Sequence, residues 1–241
     1  MDISIESVAG FSLLDILREV GPVGYGILFI LLGFSIVSWG IILYKYRMLK
    51  YIKKESQRFL ELYNENGDLG EIYAACVAFR KAPVVRVFKT GYLGLQRIRK
   101  EMMTIKVERR ANIEAILSSW VEDFTSVLQE ALIREIALLE RLLIFLAITS
   151  SSAPLLGLSG TVWGVMVAFW SVGMQGYTSL SVIAPGVSAA LVTTIGGLAT
   201  AIPAAIAYNL LVNRVRMLSS ELECFASGFT SDVRRELRKA L

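Results

Sequence analysis

Two charge-free stretches decide the fold of this chain: LSGTVWGVMVAF at residues 158–169 and ALVTTIGGLATAIPAA at residues 190–205. Both lie in a run without charged residues that extends from Leu142 to Asn213, and a second such run extends from Val20 to Tyr44. A helix needs about 20 mostly apolar residues to cross a bilayer. The shorter run therefore predicts one membrane helix, and the longer run predicts two helices joined by a turn.

The overall composition also indicates a membrane protein. The 241 residues are 54% hydrophobic and 19% charged, whereas soluble domains carry roughly 25% charged residues. The run that begins at Val20 is too long for a signal peptide, whose apolar region has about 7–15 residues. The segment before it is also acidic rather than basic. We therefore interpret the chain as an all-α integral membrane protein with three transmembrane helices.

The basic residues predict the topology. Of 25 Lys and Arg residues, one precedes residue 20, most lie in 45–141, the rest lie in 214–241, and none lies in 173–184. Because basic residues near helix ends stay in the cytoplasm, we expect a periplasmic N-terminus and a cytoplasmic C-terminus. The net charge of +4 reflects this asymmetry, and we do not interpret it as a signal for nucleic-acid binding.

These patterns divide the chain into seven segments. They are an extracytoplasmic amphipathic lead (1–19), transmembrane helix 1 (20–44), a helical cytoplasmic domain (45–141), transmembrane helix 2 (142–172), a periplasmic turn (173–184), transmembrane helix 3 (185–213) and a cytoplasmic tail (214–241). Neither Pro nor Gly occurs in residues 105–146, so we expect the last cytoplasmic helix to continue directly into the membrane. Pro185 is expected in the first turn of helix 3.

Small residues recur along helices 2 and 3. Because lipid offers no hydrophobic drive for helix association, close packing in a bilayer relies on small side chains. We predict that the following residues form packing faces: Gly157, Gly160, Gly164 and Ala168 on helix 2, and Ala190, Thr194, Gly197, Ala201, Ala204 and Tyr208 on helix 3. The two faces could pack against each other or against copies of themselves.

Two threonines, Thr161 and Thr194, belong to these crowded regions. Each hydroxyl could bond a carbonyl one turn earlier in its own helix, as Ser and Thr often do. Alternatively, both could line a narrow hydrated path, because a hydroxyl can donate and accept. Ser188, Thr193 and Thr200 are weaker candidates for such an ion path.

The apolar runs contain no titratable acid. Proton-carrying membrane proteins normally have an intramembrane Asp or Glu, and none occurs here. The chain has no His, and its two cysteines, Cys76 and Cys224, are not spaced as metal ligands. We therefore expect no cofactor, no metal site and no enzymatic activity. The chain is either a non-conducting scaffold or half of an ion path whose titratable group lies on another chain.

Three stretches resemble a known family. GLSGTVWGVMVAF (157–169) and APGVSAALVTTIGGLATAIPAAIAYN (184–209) resemble the paired signatures of the TolQ/ExbB family, to which MotA is a more distant relative. GFSIVSWGIILYKYR (33–47) resembles the first helix of TolQ more than that of ExbB. The resemblance implies a homo-oligomeric ring, taken to be pentameric, in the inner membrane of a Gram-negative bacterium. Single-helix TolR/ExbD-like subunits with a membrane aspartate are the implied partners.

The resemblance also implies a mechanism. Proton flow past the partner's aspartate is coupled to mechanical work, which a TolA- or TonB-like protein transmits to the outer membrane. Thr161 and Thr194 match the family threonines taken to face that aspartate. Ala189 stands where many members have Glu, so no carboxylate at this position can carry protons here. TolQ-like work in envelope integrity and cell division is favoured over ExbB-like energising of uptake.

Overall fold

The computed structural model describes residues 20–65, 68–79, 81–104, 113–175 and 180–240; the amphipathic lead predicted at 1–19 lies outside these ranges. Within them the chain contains helices and no strand. The helices are α1 (Pro22–Glu65), α2 (Leu69–Ala75), α3 (Pro83–Thr104), α4 (Ile113–Glu140), α5 (Leu143–Gln175) and α6 (Leu180–Ala240). Helices α1, α5 and α6 are long and apolar enough to cross a membrane. The predicted all-α fold with three candidate spans is confirmed.

The chain divides into two compact units. The membrane unit consists of Met1–Tyr44 and Leu142–Leu210, and the extramembrane unit consists of Lys45–Arg141 and Leu211–Leu241. Helices α1 and α6 contribute to both units, because each continues past the point where one unit ends and the other begins.

The membrane unit has a small core and an apolar surface. Leu31, Ala153 and Ala201 form a buried cluster, and most of the large apolar side chains point outward. Phe29 and Trp170, for example, are 78% and 73% exposed. Such a surface suits a lipid environment, in which large apolar side chains gain nothing by leaving the solvent.

The extramembrane unit has an aromatic core. The ring of Phe229 lies 5.2 Å from that of Phe88 and 5.6 Å from that of Phe124, measured between centroids, and Phe59 lies 5.5 Å from Phe88. Such ring pairs contribute about 0.5–1.5 kcal/mol each beyond the area that they bury. These contacts hold α1, α3, α4 and α6 together.

Polar pairs connect the same helices at the edge of this core. The guanidinium of Arg86 on α3 binds the buried carboxylate of Glu135 on α4 through Nε at 2.7 Å and Nη2 at 2.5 Å. The hydroxyl of Tyr63 on α1 donates to Asp232 on α6 at 2.9 Å. Burial, together with this acceptor, raises the pKa of Tyr63 well above its usual range.

The chain breaks between α4 and α5, so the expectation of one helix continuing directly into the membrane was wrong. Helix α4 ends at Glu140 and α5 begins at Leu143. Leu142 has φ 74°, in the left-handed region, which costs a residue with a Cβ roughly 1–2 kcal/mol. Something must therefore stabilise the end of α4.

Lys45 of α1 supplies that stabilisation. Its buried ammonium donates to the carbonyl oxygen of Leu139 at 2.8 Å and approaches that of Leu138 at 3.5 Å. The last carbonyls of a helix have no partner within the helix and carry its negative dipole end, so a cation is favoured there. Helix α4 can therefore end without a Gly or Pro in its sequence.

The bounds of the membrane helices also differ from expectation. Helix α5 continues to Gln175 and α6 begins at Leu180, so helix occupies much of the segment expected as a turn at 173–184. Pro185 lies inside α6 rather than at its start. Membrane helices tolerate proline because neighbouring groups satisfy the freed carbonyl, and nothing in Leu180–Ala184 interrupts the helix.

Candidate functional site

Helices α5 and α6 approach each other most closely at two glycines. A methyl group added at Gly157 would lie 2.8 Å from the carbonyl oxygen of Thr193 and 2.9 Å from the Cα of Thr194. A methyl group at Gly197 would lie 2.6 Å from the carbonyl oxygen of Ala153. All three are backbone atoms, which cannot move aside without shifting a helix. Only glycine fits at these two positions.

The contact continues along both helices and defines what we call the glycine–hydroxyl seam. A methyl group at Gly160 would clash with the side chain of Thr193, and one at Gly164 would lie 2.6 Å from the Cβ of Ala190. Ala168 lies against Gly186 at the far end. The seam comprises Gly157, Gly160, Gly164 and Ala168 of α5, and Gly186, Ala190, Thr193, Thr194 and Gly197 of α6. Ala201 lies beyond it, in the cluster with Leu31 and Ala153.

Two threonine hydroxyls cross the seam to one carbonyl. Thr193 Oγ1 and Thr194 Oγ1 each lie 3.1 Å from the carbonyl oxygen of Gly157. Thr193 is 1% exposed and also bonds the carbonyl of Ala190 at 2.7 Å, so its hydroxyl is enclosed between the helices. Thr194 is half-buried and bonds only across the seam. The spacing placed Thr194 on the predicted packing face and left Thr193 off it, yet Thr193 is the more enclosed of the two.

The remaining predicted hydroxyls have local partners or partial exposure. Thr161 is half-buried, and its hydroxyl donates to the carbonyl oxygen of Leu158 at 2.7 Å. Thr200 bonds the carbonyl of Gly196 at 3.0 Å. Ser188 is half-buried on α6, and Ala189 beside it is buried. The hydroxyls of Thr193 and Thr194 on α6 therefore bond to α5. Thr161 is itself on α5, one turn after Gly157.

Helix α1 completes the membrane unit through contacts that the sequence analysis missed. Ser38 Oγ lies 3.5 Å from Thr149 Oγ1 of α5, with both residues buried. The Phe34 and Phe145 rings meet edge to face, with centroids 5.9 Å apart. Hydroxyls within the charge-free runs were the available signal, because a buried hydroxyl needs a partner. The sequence alone does not distinguish Ser38 from Ser35, or Thr149 from Ser150–Ser152.

The seam has hydrogen-bonding groups but no group that titrates near neutral pH. Its hydroxyls and the Gly157 carbonyl can hold water or accept a bond from a protonated acid, yet no acid or His occurs in either apolar run. Among the described residues, no group of His, Cys, Asp and Glu side chains could hold a metal ion. The seam can therefore position a proton carrier but cannot itself be one.

Fold and site together define a class of protein: an α-helical membrane protein with three candidate spans, the last two joined by glycines and hydroxyls. The comparison with known families agrees. Residues 96–224 match the MotA/TolQ/ExbB proton channel family, and the chain belongs to this family. The family is described as one of proton channels and not as a class of enzyme.

Relatives of two kinds match different shares of the chain. The Tol-Pal system protein TolQ of Haemophilus influenzae is 32% identical over 230 residues, which cover 95% of this chain and 96% of that protein. TolQ of Pseudomonas aeruginosa is 31% identical, over 86% of each chain. The biopolymer transport protein ExbB of Neisseria gonorrhoeae is 41% identical, over 34% of this chain and 37% of its own. Similarity to TolQ is thus nearly full-length, and similarity to ExbB is local.

Proposed function

We propose that this chain is the ring subunit of an ion-driven motor in the inner membrane of a Gram-negative bacterium. A single-helix TolR/ExbD-like partner brings the aspartate that the ring lacks, and protons pass between that aspartate and the seam. The observation that carries the proposal is the half-buried hydroxyl of Thr194, which bonds the Gly157 carbonyl in a segment without Asp, Glu, His, Lys or Arg.

Thr161 and Thr194 are the proposed ion-path residues. Both are half-buried in the single chain, so another subunit can reach their hydroxyls. Thr193 is enclosed, so we assign it to helix packing together with the glycines of the seam. A hydroxyl beside an aspartate can accept a bond from the protonated acid and donate to the carboxylate. It therefore serves both states of a proton carrier.

The driving force is sufficient for mechanical work. Each proton that crosses a potential of 100 mV releases about 2.3 kcal/mol, so a few protons can drive one conformational step. We propose that a TolA-like protein transmits this work to the outer membrane. The proposed ring is a pentamer, and each subunit has a periplasmic N-terminus and a cytoplasmic C-terminus. Full-length similarity to TolQ supports a Tol-Pal role in envelope integrity and cell division over ExbB-like energising of uptake.

Proton flux tests the proposed ion path. The chain is reconstituted in liposomes with its partner, and flux is compared between wild type and the Thr161→Val, Thr194→Val double variant. Valine keeps the volume but removes the hydroxyl, so we expect flux to fall at least tenfold. Assembly should persist, because Thr193 still bonds the Gly157 carbonyl and a membrane hydrogen bond is worth only about 0.6 kcal/mol.

The matched control is Thr90→Val in the extramembrane unit, whose hydroxyl bonds only the Arg86 carbonyl of its own helix at 3.0 Å. This variant should keep wild-type flux. Wild-type flux in the double variant would contradict the assignment of both threonines.

Native mass spectrometry of the gently extracted complex identifies the partner: a small subunit with a membrane aspartate supports the motor. A ring without such a subunit supports the structural scaffold instead.

A further inference from the structure

A row of basic side chains begins where the apolar part of α1 ends. Arg47, Lys50 and Lys54 are exposed, and spacings of three and four residues place them on one side of the helix. Leu43, one turn before Arg47, is 55% exposed on the same side. The lipid-facing side of the membrane segment therefore continues directly into a basic side.

These cations have no partner in the part of the chain that the structure describes. None of the ion pairs and hydrogen bonds there involves Arg47, Lys50 or Lys54. Glu55 is the one acid between residues 45 and 60, and one of its oxygens accepts a hydrogen bond from Tyr51. The positive charge of the row is thus not balanced nearby along α1.

Three other cations close by, Lys45, Arg214 and Lys81, differ because each already has a partner within the protein. Lys45 binds the end of α4. The Arg214 guanidinium lies 4.6 Å from the centroid of the Tyr46 ring, and the Lys81 ammonium lies 5.4 Å from that of Tyr51. Cations over aromatic rings are attracted by the ring face. The contrast marks the row on α1 as a surface available to an outside anion.

We propose that Arg47 and Lys50 bind the phosphate groups of anionic phospholipids at the membrane surface. Arg47 and Lys50 follow Tyr44 by about 4.5 and 9 Å along the helix, whereas Lys53 and Lys54 follow it by about 13.5 and 15 Å, at 1.5 Å per residue. Surface potentials decay over a Debye length of about 8 Å. Arg47 therefore lies within one Debye length of Tyr44 and Lys50 at about one, so both feel the headgroup charge, whereas Lys53 and Lys54 lie at nearly two and interact more weakly.

Charge complementarity identifies the occupant as an anionic lipid. Clusters of Lys and Arg immediately beyond a membrane helix attract anionic headgroups, at about 1 kcal/mol per residue near the surface, which is about a fivefold change in affinity. Tyr44 and Tyr46 beside them are exposed aromatic side chains, which favour the headgroup region. The inference requires only that α1 crosses the membrane and makes no use of the proposed ion path.

The test measures lipid binding to the full chain without any partner subunit. The protein in mild detergent is titrated with phosphatidylglycerol or phosphatidylcholine, and bound lipid is counted by native mass spectrometry. Wild type should prefer phosphatidylglycerol at least tenfold. Arg47→Gln, Lys50→Gln should lose about 25-fold in affinity for phosphatidylglycerol, at about fivefold per cation. Lys53→Gln, Lys54→Gln removes the same charge from farther along α1 and should lose less than threefold.

Several outcomes would overturn the proposal. Equal losses in the two double variants would show a general charge effect without a site. No preference in wild type would show that the surface is covered, for example by a second copy of the chain. Displacement of phosphatidylglycerol by millimolar inorganic phosphate would assign the site to the free anion. Arg47→Lys, Lys50→Arg keeps both charges and should bind as wild type does, which separates lost charge from misfolding.

Discussion

The helices of the membrane unit pack through small side chains, whereas those of the extramembrane unit pack through large ones. Helix α6 takes part in both and shows the change along one line of buried residues that repeats every seven positions. The line is Ala190, Gly197 and Ala204 in the membrane unit, then Leu211, Leu218 and Phe225 in the extramembrane unit. The same helix thus presents small residues to one set of neighbours and large residues to the other.

The difference follows from the solvent. In water, the burial of apolar area is the main driving force for folding, at about 25 cal/mol per Å². Large aromatic side chains are therefore effective core residues. In lipid that force is absent, and helices associate through close van der Waals contact and hydrogen bonds. Close contact requires small side chains, and it brings the hydroxyl of Thr194 within reach of the Gly157 carbonyl.

Removing bulk should therefore damage the extramembrane unit most. Phe229 is fully buried and lies against Phe88 and Phe124. Phe229→Ala should lower the free energy of unfolding by about 3–5 kcal/mol, as expected for a phenylalanine deleted from a packed core. Chemical denaturation of the detergent-solubilised protein measures this change in the free energy of unfolding.

The control is the same substitution in the membrane unit. Phe29 is 78% exposed on α1, and Phe29→Ala should change stability by less than about 0.5 kcal/mol, as is usual for exposed positions. Similar losses in the two variants would show that the units do not differ as described.

Adding bulk should damage the membrane unit. Gly157→Ala places a methyl group 2.8 Å from the backbone of Thr193, and overpacking of this kind costs about 1–3 kcal/mol. Gly33 on α1 is the matched control, because an added methyl group there meets nothing within 4 Å. Gly33→Ala should raise stability, since Ala is better than Gly within a helix by roughly 0.5–1 kcal/mol. The two Gly→Ala variants are thus expected to shift the thermal unfolding midpoint in opposite directions, and shifts of one sign would contradict the close approach at Gly157.

The spans and the small residues were predictable because both depend on local pattern. Apolar runs predicted the membrane helices, and spacings of three and four predicted which residues share a face. That Thr193 is enclosed while Thr194 is half-buried was not predictable. The two are neighbours, and their difference depends on the rotation of α6 against α5, which sequence spacing does not contain.

The break at Leu142 was unpredictable for a different reason. Its local sequence reads as continuous helix, and the group that stabilises the end of α4 is Lys45, which lies 94 positions before its acceptor, Leu139. In the sequence, Lys45 is only one of many basic residues near a membrane helix. Its burial, at 2% exposed, is what distinguishes it from the exposed lysines that follow.

The contribution of Lys45 can be measured separately from those lysines. Lys45→Met keeps most of the length but leaves the Leu139 carbonyl without its cation, and the lost charge at a helix end is worth about 1 kcal/mol. Amide hydrogen exchange at residues 141–145 should accelerate about fivefold, because the helix end opens more often. Lys50→Met, an exposed lysine on the same helix, should leave that exchange unchanged. Equal exchange in wild type and Lys45→Met would show that the break does not depend on this contact.

The smallest effect concerns the polar edge of the aromatic core and depends on pH. The pKa of Tyr63 is raised by burial and by its bond to Asp232, so folding favours the protonated phenol. That stabilisation is fully present below the unfolded pKa of about 10 and is lost as the pH rises through the higher folded value. Tyr63→Phe removes one hydrogen bond and should cost about 1 kcal/mol at pH 8. Because phenylalanine cannot ionise, the gap in unfolding free energy between the two proteins should narrow by pH 11. A gap of constant size across that range would mean that the Tyr63 hydroxyl is not held by the core.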